Sequence, residues 1–131
     1  MLKTFRESLC AGILISIGGS VFLACDNKYI GAILFSVALL CICFKGYYLY
    51  TGKIGYIVTQ HKGPDFINLI IGLLGNLAVT FLIGMLMRYI IPAMGEKAFE
   101  ICSAKLGQSA LGTFVRGCMC GVLMYLAVSI Y

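Results

Sequence analysis

Residues 39–58 read LLCICFKGYYLYTGKIGYIV. The flanking sequence is apolar enough for lipid, yet this stretch carries Lys45, Lys53 and glycines at 46, 52 and 55. A continuous membrane helix has little use for either, because charges are expensive in hydrocarbon and glycine weakens a helix. From Tyr29 to Phe44 the residues are almost wholly apolar, enough for roughly 24 Å of helix. Apolar character returns at Ile54. Two readings fit. In one, the helix ends near Phe44 and KGYYLYTGK is an interfacial loop with tyrosines at the headgroups. In the other, one long span (29–58) is broken near 45–52, and unwound backbone at membrane depth must then face protein or a water-filled cavity.

Composition points to the membrane. Of 131 residues, 61% are hydrophobic and 11% charged, and the mean hydropathy is +1.00. Soluble domains carry charge on about a quarter of their residues. Spanning helices need about 20 mainly apolar residues. Four stretches meet that need: 5–24, 29–58 with its interruption, 66–91 and 109–131. We therefore expect an all-α integral membrane fold, a single transmembrane domain with four helices, the second interrupted by a loop. The apolar runs lack the period-two alternation of barrel strands. Lys3 and Arg6 before an apolar run ending VFLAC loosely suggest a secretory leader, but three more spans follow and we read this run as the first helix.

The net charge of +5 does not indicate nucleic-acid binding, since the ten basic residues are scattered and mostly close the spans. With the N-terminus in the cytoplasm, Lys3, Arg6, Lys53 and Lys62 lie inside and Lys28, Arg88, Lys97 and Lys105 outside, a near balance under the positive-inside rule. Arg88 and Arg116 are placed to reach headgroups, and Glu96 and Glu100 suggest a short amphipathic turn between the third and fourth spans. Five of seven cysteines lie in spans. The pairs Cys41/Cys43 and Cys118/Cys120 point about 200° apart on a helix, so they form no ready chelate, and no metal or other cofactor is expected. His61 stands alone in the polar connector TQHKGPD and reads as a solvated loop histidine. No catalytic triad, phosphate loop or paired acids occur at usable spacing, so the sequence does not suggest an enzyme.

Small residues recur at helical spacing: Gly12, Ser16, Gly19 and Ser20; Gly72, Asn76, Thr80 and Gly84; Gly117 and Gly121. These are expected to let helices approach closely. Asn76 needs hydrogen-bond partners, and either bonds a neighbouring helix or lines a cavity.

Four segments together resemble the formate/nitrite transporter family. AGILISIGGSVFLA (11–24) is similar to its first helix and GAILFSVALLCICFKGYYLYTGKIG (31–55) to its second. LLGNLAVTFLIG (73–84), with its G-N pair, resembles the third, and FVRGCMCGVLMYLAV (114–128) the fourth. The resemblance implies a channel for small monovalent anions such as formate or nitrite in the plasma (inner) membrane, assembled as a homo-oligomer, in the family a pentamer. It also implies that Leu49, Tyr50 and Thr51 stand at the constriction, that Phe35 and Leu39 are pore-lining walls, and that Lys105 attracts anions at the outer vestibule. The chain departs from the family pattern at Tyr48, where the family has an acid, at Tyr50 for phenylalanine and at Gly121 for asparagine. The family has six spans in two inverted halves, with a second broken helix and a central histidine, whereas this sequence ends at Tyr131 after the fourth span. His61, in a connector, is no substitute. The expectation is thus a channel protein incomplete alone, its remaining helices supplied by a second polypeptide. The alternative is a non-transporting small membrane protein, a degenerate remnant or accessory subunit.

Overall fold

The computed structural model describes residues 1–59 and 63–130. His61 and Lys62 therefore lie outside the described residues. Six helices follow one another: α1 (Leu2–Ala24), α2 (Lys28–Lys45), α3 (Tyr50–Thr59), α4 (Gly63–Ile90), α5 (Pro92–Leu106) and α6 (Ala110–Ser129). There is no strand among the described residues. Four helices, α1, α2, α4 and α6, are long and apolar enough to cross a membrane. The interrupted second span is α2 plus α3, with only residues 46–49 outside helix.

α1 is the central helix, packed against α4, α2 and α5. Its seam with α4 is made of small residues. Gly12 lies where a Cβ would press on Val79 and the Asn76 backbone. Ser8 is fully buried, and its hydroxyl donates to the Phe5 carbonyl at 2.7 Å. Ser16, Ser20 and Thr80 donate their hydroxyls to carbonyls four residues earlier in their own helices, so they reach close packing without exposing a donor to lipid. α1 and α2 form a hairpin in which the Asn27 side chain accepts from the Tyr29 and Ile30 amides and starts α2.

The interruption has a defined geometry. Gly46 adopts φ 64°, the left-handed conformation that favours glycine. Its N–H donates to the Cys43 carbonyl at 3.0 Å, and the Tyr47 N–H reaches the Ile42 carbonyl at 3.1 Å. This pair of bonds is a Schellman motif and closes α2. Leu49 N–H then donates to the Tyr47 carbonyl, a three-residue turn, and the Leu49 carbonyl accepts the first bonds of α3, from Gly52 and Lys53. The break is thus shorter than the stretch 45–52 suggests, because two tight turns restart the helix at once. Tyr50, Thr51 and Gly52, expected in the loop, are in the first turn of α3.

The other two glycines of the opening stretch answer to α6. A Cβ at Gly52 would overlap Val128, and one at Gly55 would overlap the Tyr125 ring. α3 and α6 pack on this face, with Tyr56 meeting Tyr125 edge-on at 5.4 Å between ring centres. Gly117 and Gly121, by contrast, face open space. This G-x-x-x-G is therefore not a packing surface within the described residues, since α6 meets α3 through its other face.

Between α4 and α6 stands a 15-residue helix, α5, in place of a short turn. Proline at its first position disfavours helical geometry in the residue before it, so Ile91 turns the chain (φ −129°, ψ 83°) and α5 begins afresh. α5 buries no residue. It lies across the ends of α1 and α4 and is tied to the α1–α2 turn by Lys97 and Asp26 at 3.1 Å.

These contacts separate glycines that look alike in sequence. We expect Gly55→Val to lower stability by about 1–3 kcal/mol through overpacking against Tyr125. Gly117→Val, in open space, should change it by no more than about 0.5 kcal/mol. Thermal unfolding of the purified chain in detergent would check both, and equal losses would be contrary to this packing.

Candidate functional site

The break is held by one side chain on a different helix. Asn76 is nearly buried, at 9% exposure. Its Nδ2 donates to the Ser8 carbonyl at 2.6 Å and to the Tyr48 carbonyl at 3.2 Å. Its Oδ1 accepts from the Tyr50 N–H at 2.9 Å. Interrupting a helix strands backbone donors and acceptors, and in lipid each stranded group is costly. Asn76 takes one carbonyl and one N–H of the interruption and anchors both to α1. Of the alternatives open for this amide, it bonds neighbouring segments.

Two glycines of α4 make the arrangement possible. At Gly75 a Cβ would overlap the Ser8 hydroxyl, and at Gly72 it would overlap the Tyr48 ring. These are neighbours of the two residues whose carbonyls Asn76 binds. The run Gly72–Asn76 thus combines room for two close approaches with the group that exploits them.

Beside the break lies an open groove of about 430 Å³ between the end of α2, the interruption, α3 and α6. Its walls include Leu39 and Ile42 from α2, Tyr47 and Leu49 from the break, and Met124 and Val128 from α6. Leu49 also joins a small buried cluster with Ala11 and Ile42, against which Leu39, Tyr47 and Met124 pack. The charged residues of the lining are Lys45 and Lys53. The Lys53 ammonium lies 5.5 Å from the centre of the Tyr56 ring.

Of the residues singled out from sequence, the structure brings Leu39 and Leu49 together in the groove. Phe35 points elsewhere, packing with Ala38 over Gly18 of α1. Tyr50 contributes its backbone N–H to Asn76, and Thr51 is exposed in the first turn of α3. Lys105 is exposed in the last turn of α5 and is not among the groove's lining. Lys53, assigned from sequence to the cytoplasmic end of the span, sits one turn after the break. The groove residues Lys45, Lys53, Tyr47 and Met124 were not selected from sequence. For the lysines a signal existed, namely a charge inside an apolar run. Met124 offered none, because only the α3–α6 contact brings it to the break.

A family model described as formate/nitrite transporter matches residues 1–131. No curated protein and no solved structure gives a significant match.

Asn76→Leu is expected to cost about 2 kcal/mol or more, since the Tyr48 carbonyl and Tyr50 N–H lose their partner in a buried setting. Equilibrium unfolding in mixed micelles would measure the loss. Hydrogen exchange at the Tyr50 amide should accelerate in the same variant, while exchange in α2 should change little.

Proposed function

The chain belongs to the formate/nitrite transporter family, and we propose that it forms part of a channel for small monovalent anions such as formate or nitrite. The observation that carries this reading is the interrupted second span, fastened by Asn76 and bordering a groove. An unwound segment is tolerated at membrane depth only where protein or water surrounds it, and discontinuous helices are a recurrent way for transporters to build substrate sites. The family is one of transporters in the membrane, and this chain is a multi-pass membrane protein.

In this reading Leu39 and Leu49 are apolar walls that hold back hydrated ions, and donors nearby compensate an anion that has lost water. Thr51, exposed beside the break, supplies a hydroxyl, and Tyr50 stands at the same level. Phe35 supports the wall from the α1 side. Lys105, at the end of α5, raises the local anion concentration at the outer mouth. The groove is open, so further wall must come from other helices. We assign these to other copies of the chain in a homo-oligomer, a pentamer as the family resemblance implies, or to a second polypeptide. The setting is the plasma membrane with the N-terminus in the cytoplasm. Lipid surrounds the exposed faces of α2 and α6.

A carboxylate at the constriction should repel the permeant anion. Leu49→Glu is expected to abolish formate flux into proteoliposomes, with Leu49→Ala retaining it. Flux that survives Leu49→Glu would remove this residue from the pathway. A wild-type chain that passes no formate, and that purifies without a partner, would favour the non-transporting accessory role.

A further inference from the structure

α1 and α4 run parallel. The Thr4 hydroxyl donates to Asn68, Ser8 lies against Gly75, and Gly12 lies against Val79. Both helices therefore end on one side of the membrane they cross, at Ala24 and Ile90. Charged residues gather on that side: Asp26 and Lys28 at the α1–α2 hairpin, and Glu96, Lys97 and Glu100 on α5. Arg88, in the last turn of α4, thus stands where hydrocarbon gives way to headgroups.

The seam between α1 and α4 is not uniform. At Gly12 a Cβ would meet Val79 at 3.2 Å, and Ser8 and Ala11 are fully buried. Further along, a Cβ at Gly19 or at Gly84 would meet nothing within 4 Å. The seam has opened there into a groove of about 460 Å³, bounded at the charged end by Met94, Ala98 and Phe99 of α5. From Thr80 to Arg88 the groove follows α4 for about 12 Å. That is close to the depth of one leaflet in a hydrocarbon core about 30 Å thick.

The wall is apolar and carries a single charge at its mouth. Ser16, Ser20 and Thr80 direct their hydroxyls to carbonyls of their own helices, which leaves Leu23, Ile83 and Met87 to set the character of the wall. The charged residue of the lining is Arg88. Its stem lies against Gly95 of α5, where a Cβ would meet the Arg88 Cγ at 3.0 Å. The ion pairs among the described residues are Lys3–Glu7 and Lys97–Asp26. Glu96 shares a shallow hollow with Arg88 but forms no ion pair with it. A guanidinium presents a planar fork that matches a phosphate, and basic pockets between membrane helices suit anionic headgroups. A spanning helix, about 10–12 Å across, would have to stop beneath α5. An acyl chain meets no such obstacle, because its headgroup lies at that level.

We propose that the groove between α1, α4 and α5 binds one anionic phospholipid, with an acyl chain along Gly19 and Gly84 and the phosphate on Arg88. The site needs α1 and α4 to span the membrane and does not depend on the anion-channel reading. Native mass spectrometry tests it on the full chain in detergent, titrated with phosphatidylglycerol or with phosphatidylcholine of the same acyl chains. Wild type should retain one phosphatidylglycerol, bound at least about tenfold more tightly than phosphatidylcholine. Arg88→Gln should bring the two lipids to within about twofold of each other. Gly84→Leu, whose side chain enters open space, should fill the groove and weaken both lipids. Arg116→Gln, on α6, should behave as wild type. Equal retention of the two lipids by wild type overturns the site, as does phosphatidylglycerol binding untouched by Arg88→Gln or by Gly84→Leu. A loss with Arg116→Gln as large as that with Arg88→Gln also overturns it, because the preference would then belong to the whole lipid shell. Displacement of the lipid by inorganic phosphate would mark a free-anion site and refute the proposal. A dimer that takes up no phosphatidylglycerol would put a second copy in the groove and refute it equally.

Discussion

A helix interrupted in hydrocarbon must find partners for the backbone it releases, and the rest of this structure is arranged around that need. Here the partner is the Asn76 amide, which serves the Tyr48 carbonyl, the Tyr50 N–H and the Ser8 carbonyl at once. Hydrophobic contact does not drive helix association in lipid, so polar bonds and close packing decide which helices meet. Asn76 supplies the bonds, while Gly72 and Gly75 supply the closeness. α1, α4 and the break are consequently one unit, with α2 and α3 as the arms that leave it. The Schellman closure at Gly46 and the turn at Leu49 satisfy further groups locally, so four residues suffice to change direction.

The same logic distinguishes the glycines. Gly46 serves backbone conformation, Gly52 and Gly55 admit α6, and Gly72 and Gly75 admit the break and α1. Each is required by a specific neighbour or a specific φ. Gly117 and Gly121 have neither. α6 packs mainly on α3, reaches the Leu49 cluster through Met124, and buries no residue. That placement creates the groove, because α6 approaches α3 while the end of α2 remains apart. The groove and its open wall thus arise from one packing choice.

The groove combines leucines, tyrosines and two lysines, with Thr51 close by. The family to which the chain belongs transports small anions by its description, and the chemistry of this groove is compatible with such cargo. α5 adds a polar surface at one end, tied by Lys97 and Asp26, with Lys105 exposed in its last turn.

Much of this was legible in the residues. Apolar run lengths located the four spans, and the cluster of Lys45, Gly46 and Gly52 located the interruption, because hydropathy and glycine content act locally. The resemblance of four segments in order indicated the family. α5 was legible only as a short amphipathic turn suggested by Glu96 and Glu100, since its mixed composition has no strong apolar face to signal a 15-residue helix. Nor did the sequence choose between an Asn76 that bonds a neighbour and one that lines a cavity. That choice depends on residues 68 positions earlier and 26 to 28 positions earlier, and no local signal spans such distances. The sequence by itself determined which segments enter the membrane and where the second must break, because those are costs of individual residues in lipid. Tertiary structure alone decided what satisfies the break and what faces it, because hydrogen-bond partners and groove walls exist only once separate helices have met.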